Sequence, residues 1–425
     1  MEPIYHSYLH VPILSLINGI ILLVGFYYLG EFIQKKFKLN KIIDEVSMPN
    51  YQNILISVNF ILLFLYPICL FFSKSNYLIH AVTFIIFLYG IIQIIIKLKV
   101  IKIKKKIISL KINFQKIDYI LIFFILSGLT LLSFAPVTNA DSLDYHLFSA
   151  KFLLENGSFP TDITNFHSSR LSGAGEILIS MGLAVGSEQF GSIIQLSGLL
   201  TVIGIFKKYK VDPIYYLAFL SSPVLIFFIS SLKPQLFSIC TIAFVFTFII
   251  QNRFDKKIFS EYDIKKILFL FCLLFLSTQI KFSFFLSTLL LLGTFILLNF
   301  KFKKLIQTAK LLIPLYFVII FLPIIWKYNT FGGNFFELLY SPFETSLYGL
   351  YFFKKYLTGL TEANILWFVL PTSLSNLTHS LGIGTLIIFY AFFVQTKKKY
   401  YLFTLIILFI LISYFFGQFT SRFFV

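Results

Sequence analysis

Twelve apolar runs dominate this chain, at residues 11–30, 52–72, 79–96, 117–135, 190–206, 213–230, 236–250, 267–280, 282–300, 305–326, 381–396 and 400–417. A bilayer core about 30 Å thick takes roughly 20 residues of α-helix, and inside it every backbone amide must bond within its own segment. The runs therefore predict an all-α, polytopic transmembrane protein with about 12 spans. Only 13% of the residues are charged, against about 25% in soluble domains. The first residues, "MEPIYHSYLHVP", lack the basic segment of a cleavable signal, so the first run reads as a span that stays. Runs 236–250 and 267–280 are short for a bilayer and predict helices that tilt, break or stop short.

The lysines set the orientation. The segments 31–50, 97–116, 207–210, 251–266, 301–310 and 397–399 carry 27 of the 36 lysines and arginines, and they fall at every second interval between runs. By the positive-inside rule they are cytoplasmic, which puts both termini outside. A net charge of +18 does not point to nucleic acid, because lysines outnumber arginines 33 to 3 and follow the loops. The run "KLKVIKIKKKIISLK" (97–111) reads as a solvated orientation signal, with acidic lipid headgroups as the other candidate partner. Cys69, Cys240 and Cys272 lie in apolar runs without metal-ligand spacing. No P-loop, HExxH or dinucleotide-binding pattern is present, so nothing supports ATP-driven transport or zinc hydrolysis.

The stretch "NADSLDYHLFSAKFLLENGSFP" (139–160) follows the fourth run and concentrates Asp141, Asp144, His146, Lys151 and Glu155. The same topology places outside Arg170, the turn "SSLKPQ" with Lys233, Lys281, the segment 327–380 and the terminal "GQFTSRFFV" with Arg422. Cations at span edges are costly unless a partner or a wet cavity receives them. Carboxylates from one loop and cations from several others suit transfer chemistry: a carboxylate takes a proton from a hydroxyl, and Lys or Arg hold a phosphate. Each residue also has a plainer reading. Lys233 and Lys327 would serve as snorkelling anchors, His146 would bond within its loop, and Asp144 would cap the helix that follows. Lys281, closely flanked by apolar residues in "STQIKFSFF", is the hardest to read in that way.

The segment "DSLDYHLFSAKFLLENGSFP" resembles the first outer loop of the GT-C superfamily, the polytopic glycosyltransferases that use polyprenyl-phosphate sugars, among them protein O-mannosyltransferases and the lipid A aminoarabinose transferase. Asp141, Tyr145 and Gly157 match its pattern of an Asp after a span, a Tyr four residues on and a helix running to a Gly. "STQIKFSFFL" is similar to a lysine turn of the group at Lys281, and "WKYNTFGGNFFELLYSPF" to a Gly-Asn loop through Trp326, Asn329, Gly333 and Asn334, with Phe335 where a proline is usual. "SSLKPQLF" has counterparts around Lys233.

The resemblance covers about residues 117–425. It implies two units: 1–116, a three-span extension with a basic cytoplasmic loop, and 117–425, a catalytic domain with outer loops 136–176 and 327–380. It implies transfer of a sugar from a polyprenyl-phosphate donor to a glycan, lipid or protein acceptor at the outer face of a bacterial cell membrane. Asp141 would be the base, with Asp144 beside it. Tyr145, His146, Lys151, Arg170, Lys233, Lys281, Asn334 and Arg422 would bind substrate, the cations among them holding the lipid phosphate. No cofactor is called for, although some members of the group use a divalent metal. Relatives usually continue from an "RF" like Arg422-Phe423 into further helices, so the chain is expected to be either short or incomplete. Two other classes stay open: a polysaccharide polymerase or ligase of the O-antigen type, and a non-enzymatic flippase or transporter of lipid-linked sugars.

Overall fold

The computed structural model describes residues 12–37, 52–104, 117–137, 142–162, 169, 172–254, 264–281, 284–299, 310, 312–331, 382, 384 and 386–387. Among them the chain is helical throughout, with no strand. The helices are α1 (Pro12–Lys36), α2 (Gln52–Phe71), α3 (Ser75–Lys104), α4 (Ile117–Phe134), α5 (Leu147–Asn156), α6 (Ala174–Ala184), α7 (Phe190–Lys208), α8 (Pro213–Leu220), α9 (Val224–Ser230), α10 (Gln235–Phe254), α11 (Ile264–Ile280), α12 (Phe285–Asn299) and α13 (Leu322–Phe331). Two π-helical turns, Ser142–His146 and Phe317–Phe321, lead into α5 and α13. The second lies just ahead of Pro323, where the helical ladder loses a donor.

Among the described residues, five helical stretches are long and apolar enough to cross a membrane: Ile13–Lys36, Gln52–Phe71, Ser75–Lys99, Phe190–Lys208 and Leu312–Phe331. The protein is a membrane protein. The run 213–230, read above as one span, is broken. Its halves α8 and α9 meet at a 65° bend around Ser221, Ser222 and Pro223, and the proline has no N–H to carry the ladder across. The apolar stretch after residue 172 holds a helix, α6, that the run pattern does not reveal, because 11 residues are too few for a span.

One hydrophobic cluster runs from Leu22 and Phe26 on α1 through Ile56 and Leu62 on α2, Ile177 on α6, Phe190 on α7 and Phe275 on α11 to Ile324 on α13. Packing thus crosses residue 116 freely. A second cluster joins α4, through Ile122 and Leu129, to Leu199, Tyr216 and Phe228. Lys35 and Lys36 close α1, and Lys207 and Lys208 close α7. Lys97 of α3 lies 5.8 Å over the ring of Tyr28 on α1, so α1 and α3 carry their lysines to one end of the bundle. The opposite end of α2 meets the loop helix. Ser75 donates both its N–H and its hydroxyl to Gly157 O, at 3.2 and 2.7 Å. Gly157 ends α5 with φ 74°, a left-handed conformation that suits glycine.

Candidate functional site: a buried ion cluster at one end of the bundle

The site is assembled by short polar ties between segments far apart in sequence. The π turn Ser142–His146 docks on the turn between α9 and α10, where Leu232 N–H donates to Ser142 Oγ at 2.9 Å. Gln195, buried on α7, secures that same turn. Its Nε2 donates to Phe228 O and, at 2.5 Å, to Ser231 O, while Oε1 accepts from Leu236 N–H at 2.8 Å. Three backbone groups beside a helix break are satisfied by one side chain, as burial away from water requires. The start of α6 is pressed against the end of α11: a Cβ on Gly173 would stand 2.5 Å from Gln279 O. That close approach admits only glycine.

Glu176 lies at the centre, in the first turn of α6, 1% exposed. Its Oε2 accepts from Gly173 N–H at 2.7 Å, which caps the helix. Its Oε1 is 2.7 Å from His146 Nδ1 and 3.5 Å from Lys233 Nζ, and both partners are buried. Burial pushes the carboxyl upward, but Lys233, then His146 and the Gly173 N–H, outweigh it and hold Glu176 at about 2. Glu176 is thus an ionised carboxylate, and the hydrogen bond from His146 is charge-assisted. Lys327, half-buried on α13, is within range of the charges of both Lys233 and Glu176. Tyr66 of α2, buried at the end of that helix away from the lysines, also feels Glu176. This places the cluster at the end of the bundle opposite Lys35 and Lys97. Lys281, just past α11, donates to Gln235 Oε1 at 2.8 Å and so joins the Lys233 turn.

Of the residues singled out from sequence, His146 and Lys233 share one carboxylate. The ring of the half-buried Tyr145 lies 4.1 Å from the His146 ring, tilted at 50° to it, and Lys281 is tied to the Lys233 turn. Lys151 stands apart on an exposed face of α5, paired with Glu155 one turn on at 3.7 Å, an arrangement typical of a solvated helix. Asp141, Arg170, Asn334 and Arg422 lie outside the described residues, as does the side chain of Asp144. The backbone of Asp144 is part of the π turn. The N-cap of α5 falls at His146, which makes no side-chain cap. His146 bonds within the 136–176 loop, to the Glu176 that closes it at the start of α6. One plainer reading changes: Lys233 is buried against a carboxylate rather than reaching for water.

Glu176 and Lys327 were not among the site residues read from sequence. For Glu176 the available signal was a lone carboxylate in the otherwise apolar "AGEILISMGLA". For Lys327 it was a cation four residues before the end of an apolar helix.

Fold and site together define an all-helical membrane protein with an ionised cluster buried at the helix ends. The chain belongs to the DUF1420 family: the model of the DUF1420 N-terminal domain matches residues 110–425, which contain the whole cluster. No curated protein and no solved structure matches the chain.

Proposed function

We propose that the chain is a membrane glycosyltransferase that moves a sugar from a polyprenyl-phosphate donor to a hydroxyl acceptor at the outer face of a bacterial cell membrane. The observation that carries this reading is the burial of Lys233 against the Glu176–His146 pair, with Lys281 tied to the Lys233 turn and Lys327 within range of the same charges, beside the π turn Ser142–His146 at the end of the bundle away from the lysine-rich helix ends. In this reading Asp141 takes the proton from the acceptor hydroxyl and the acceptor oxygen attacks the anomeric carbon. The bond from that carbon to the phosphate oxygen breaks as the new bond forms, with inversion, and the lipid phosphate leaves onto Lys233, Lys281 and Lys327. Arg422 and Arg170 are further candidates for the phosphate, and Tyr145 and Asn334 for the sugar or the acceptor. The full topology of twelve spans, with the lysine loops in the cytoplasm, belongs to the same proposal.

The broken α8–α9 helix favours one competing reading, since discontinuous helices line the substrate sites of many transporters. Purified protein supplied with a panel of radiolabelled polyprenyl-phosphate sugars and a mixed pool of acceptors separates the two. Release of free polyprenyl phosphate with sugar incorporated into product supports the enzyme. Movement of intact donor across proteoliposomes without consumption overturns it in favour of a transporter.

A further inference from the structure

We propose that Glu176 is a positioning residue: it holds His146 with the proton on Nδ1 and holds Lys233 on the same oxygen, and so fixes the acidic turn against the phosphate-binding cations. The proposal rests on the transferase reading for its catalytic consequence, but its structural core can be tested without it.

The geometry is specific. An ionised carboxylate only accepts hydrogen bonds, so the 2.7 Å contact from His146 Nδ1 to Glu176 Oε1 needs a hydrogen on Nδ1. In the neutral ring that hydrogen excludes one from Nε2, so Glu176 selects the tautomer and the ring plane together. Gly173 N–H fills Oε2 at 2.7 Å, which fixes the carboxylate and leaves Oε1 to the two functional partners. Lys233 lies 3.5 Å from that oxygen. His146 ends the π turn whose first residue, Ser142, receives Leu232 N–H from the Lys233 turn. The acidic turn and the lysine turn are therefore joined through the Ser142 hydroxyl, which also donates to Ser231 Oγ at 3.4 Å, and again through Glu176. A carboxylate serving only to cap α6 would need neither His146 nor Lys233.

The test uses full-length protein labelled with 15N-histidine in lipid, the His146 signals being those lost in His146→Gln. Wild-type protein is expected to show the proton on Nδ1 of His146 at neutral pH. In Glu176→Gln, whose amide offers both a donor and an acceptor, the neutral ring is expected to lose that preference, and Glu176→Asp should recover it in part. A wild-type His146 carrying its proton on Nε2 alone overturns the proposal whatever the protein catalyses.

Turnover provides the second readout. With a polyprenyl-phosphate sugar that wild type consumes, Glu176→Gln is expected to lose about 100-fold in kcat, within the usual range for a misplaced proton-transfer group. KM for the donor should change far less. Equal kcat in a folded Glu176→Gln overturns the positioning role while leaving the transferase reading intact. If wild type consumes no donor, the transferase reading fails and the tautomer measurement still decides the role of Glu176.

Discussion

Replacing Lys233 by methionine removes the cation nearest Glu176 and keeps a long unbranched side chain in its place. Lys233 Nζ stands 3.5 Å from Glu176 Oε1. At that separation and an effective dielectric near 20 the attraction is roughly 5 kcal/mol. Removing one partner of a buried pair costs about 3–5 kcal/mol, because the other charge is left behind. His146 remains on the same oxygen at 2.7 Å and can take up a proton, so the expected loss at neutral pH is near the lower bound, about 3 kcal/mol.

The pH dependence gives the sharper signature. In the wild type Glu176 sits at about 2 against an ordinary 4.5, so its contribution is present above pH 4.5 and is lost as the pH falls from 4.5 toward 2. Burial is the largest influence on this carboxyl and pushes it up, with Lys233 the strongest opposing it. In Lys233→Met the carboxyl is therefore expected to rise from about 2, with His146 and the Gly173 N–H still opposing burial. Between pH 7.5 and 5 the wild type should be nearly flat with respect to this group. As the pH falls from 4.5 toward 2 the variant should lose less stability than wild type, so its deficit should shrink on acidification. The assay is the fraction of detergent-purified protein that stays monodisperse after heating, taken from pH 7.5 down through that range. Lys233→Met/Glu176→Gln, which removes both charges of the pair, should recover most of the loss at pH 7.5. A single variant as stable as wild type at pH 7.5 and just as sensitive to acid would refute the assignment of Lys233 as the counter-charge of Glu176.

Cysteine placed at Ser158 should react with a membrane-impermeant maleimide in intact cells and cysteine at Ser109 should not; the reverse pattern would invert the topology and move the cluster to the cytoplasmic side. Gly157→Ala forces a side chain into the left-handed region, at about 1–2 kcal/mol, and its Cβ would stand 2.6 Å from Ser73 O. A lowered heat tolerance is therefore expected, and an unchanged one would mean that the α5 end and the Ser73–Ser75 turn are not held together. Asp141→Asn should cost about 10²–10⁴ in turnover if Asp141 is the base. Asp144→Asn should cost much less, and a selective loss in Asp144→Asn would move the base three residues along.

The membrane helices were legible because an apolar run of about 20 residues has few alternatives in water or lipid. Lys233 and Lys281 were legible for a related reason: a charge inside an apolar flank draws notice wherever it points. Glu176 was not, since α6 is too short to register as a span and an acidic residue in a first turn reads as an ordinary partner of the helix dipole. It does cap the helix with one oxygen, and nothing local announces what the other oxygen does. The break in 213–230 was hidden similarly, because apolarity continues across it and only Ser-Ser-Pro hints at a bend. Pairings such as Ser142 with Leu232 or Gln195 with Leu236 join distant segments, and no periodicity encodes them.

Where the ionisable groups sit also bears on the choice between catalysis and transport. Glu176 is in the first turn of α6, His146 opens α5, Lys233 lies between α9 and α10, Lys281 follows α11, and Lys327 is four residues from the end of α13. A carrier that passes a charged headgroup across the bilayer needs its ionisable groups near mid-span, whereas these gather at helix ends. A stability role alone is also a weak account, because well-packed apolar side chains often match or exceed a buried ion pair. A charged ligand that reaches the protein at the membrane edge, with its lipid tail left in the bilayer, would use both the position and the charge of the cluster. The phosphate of a polyprenyl carrier is a ligand of that kind, and on this ground we favour transfer at the membrane surface over passage through it.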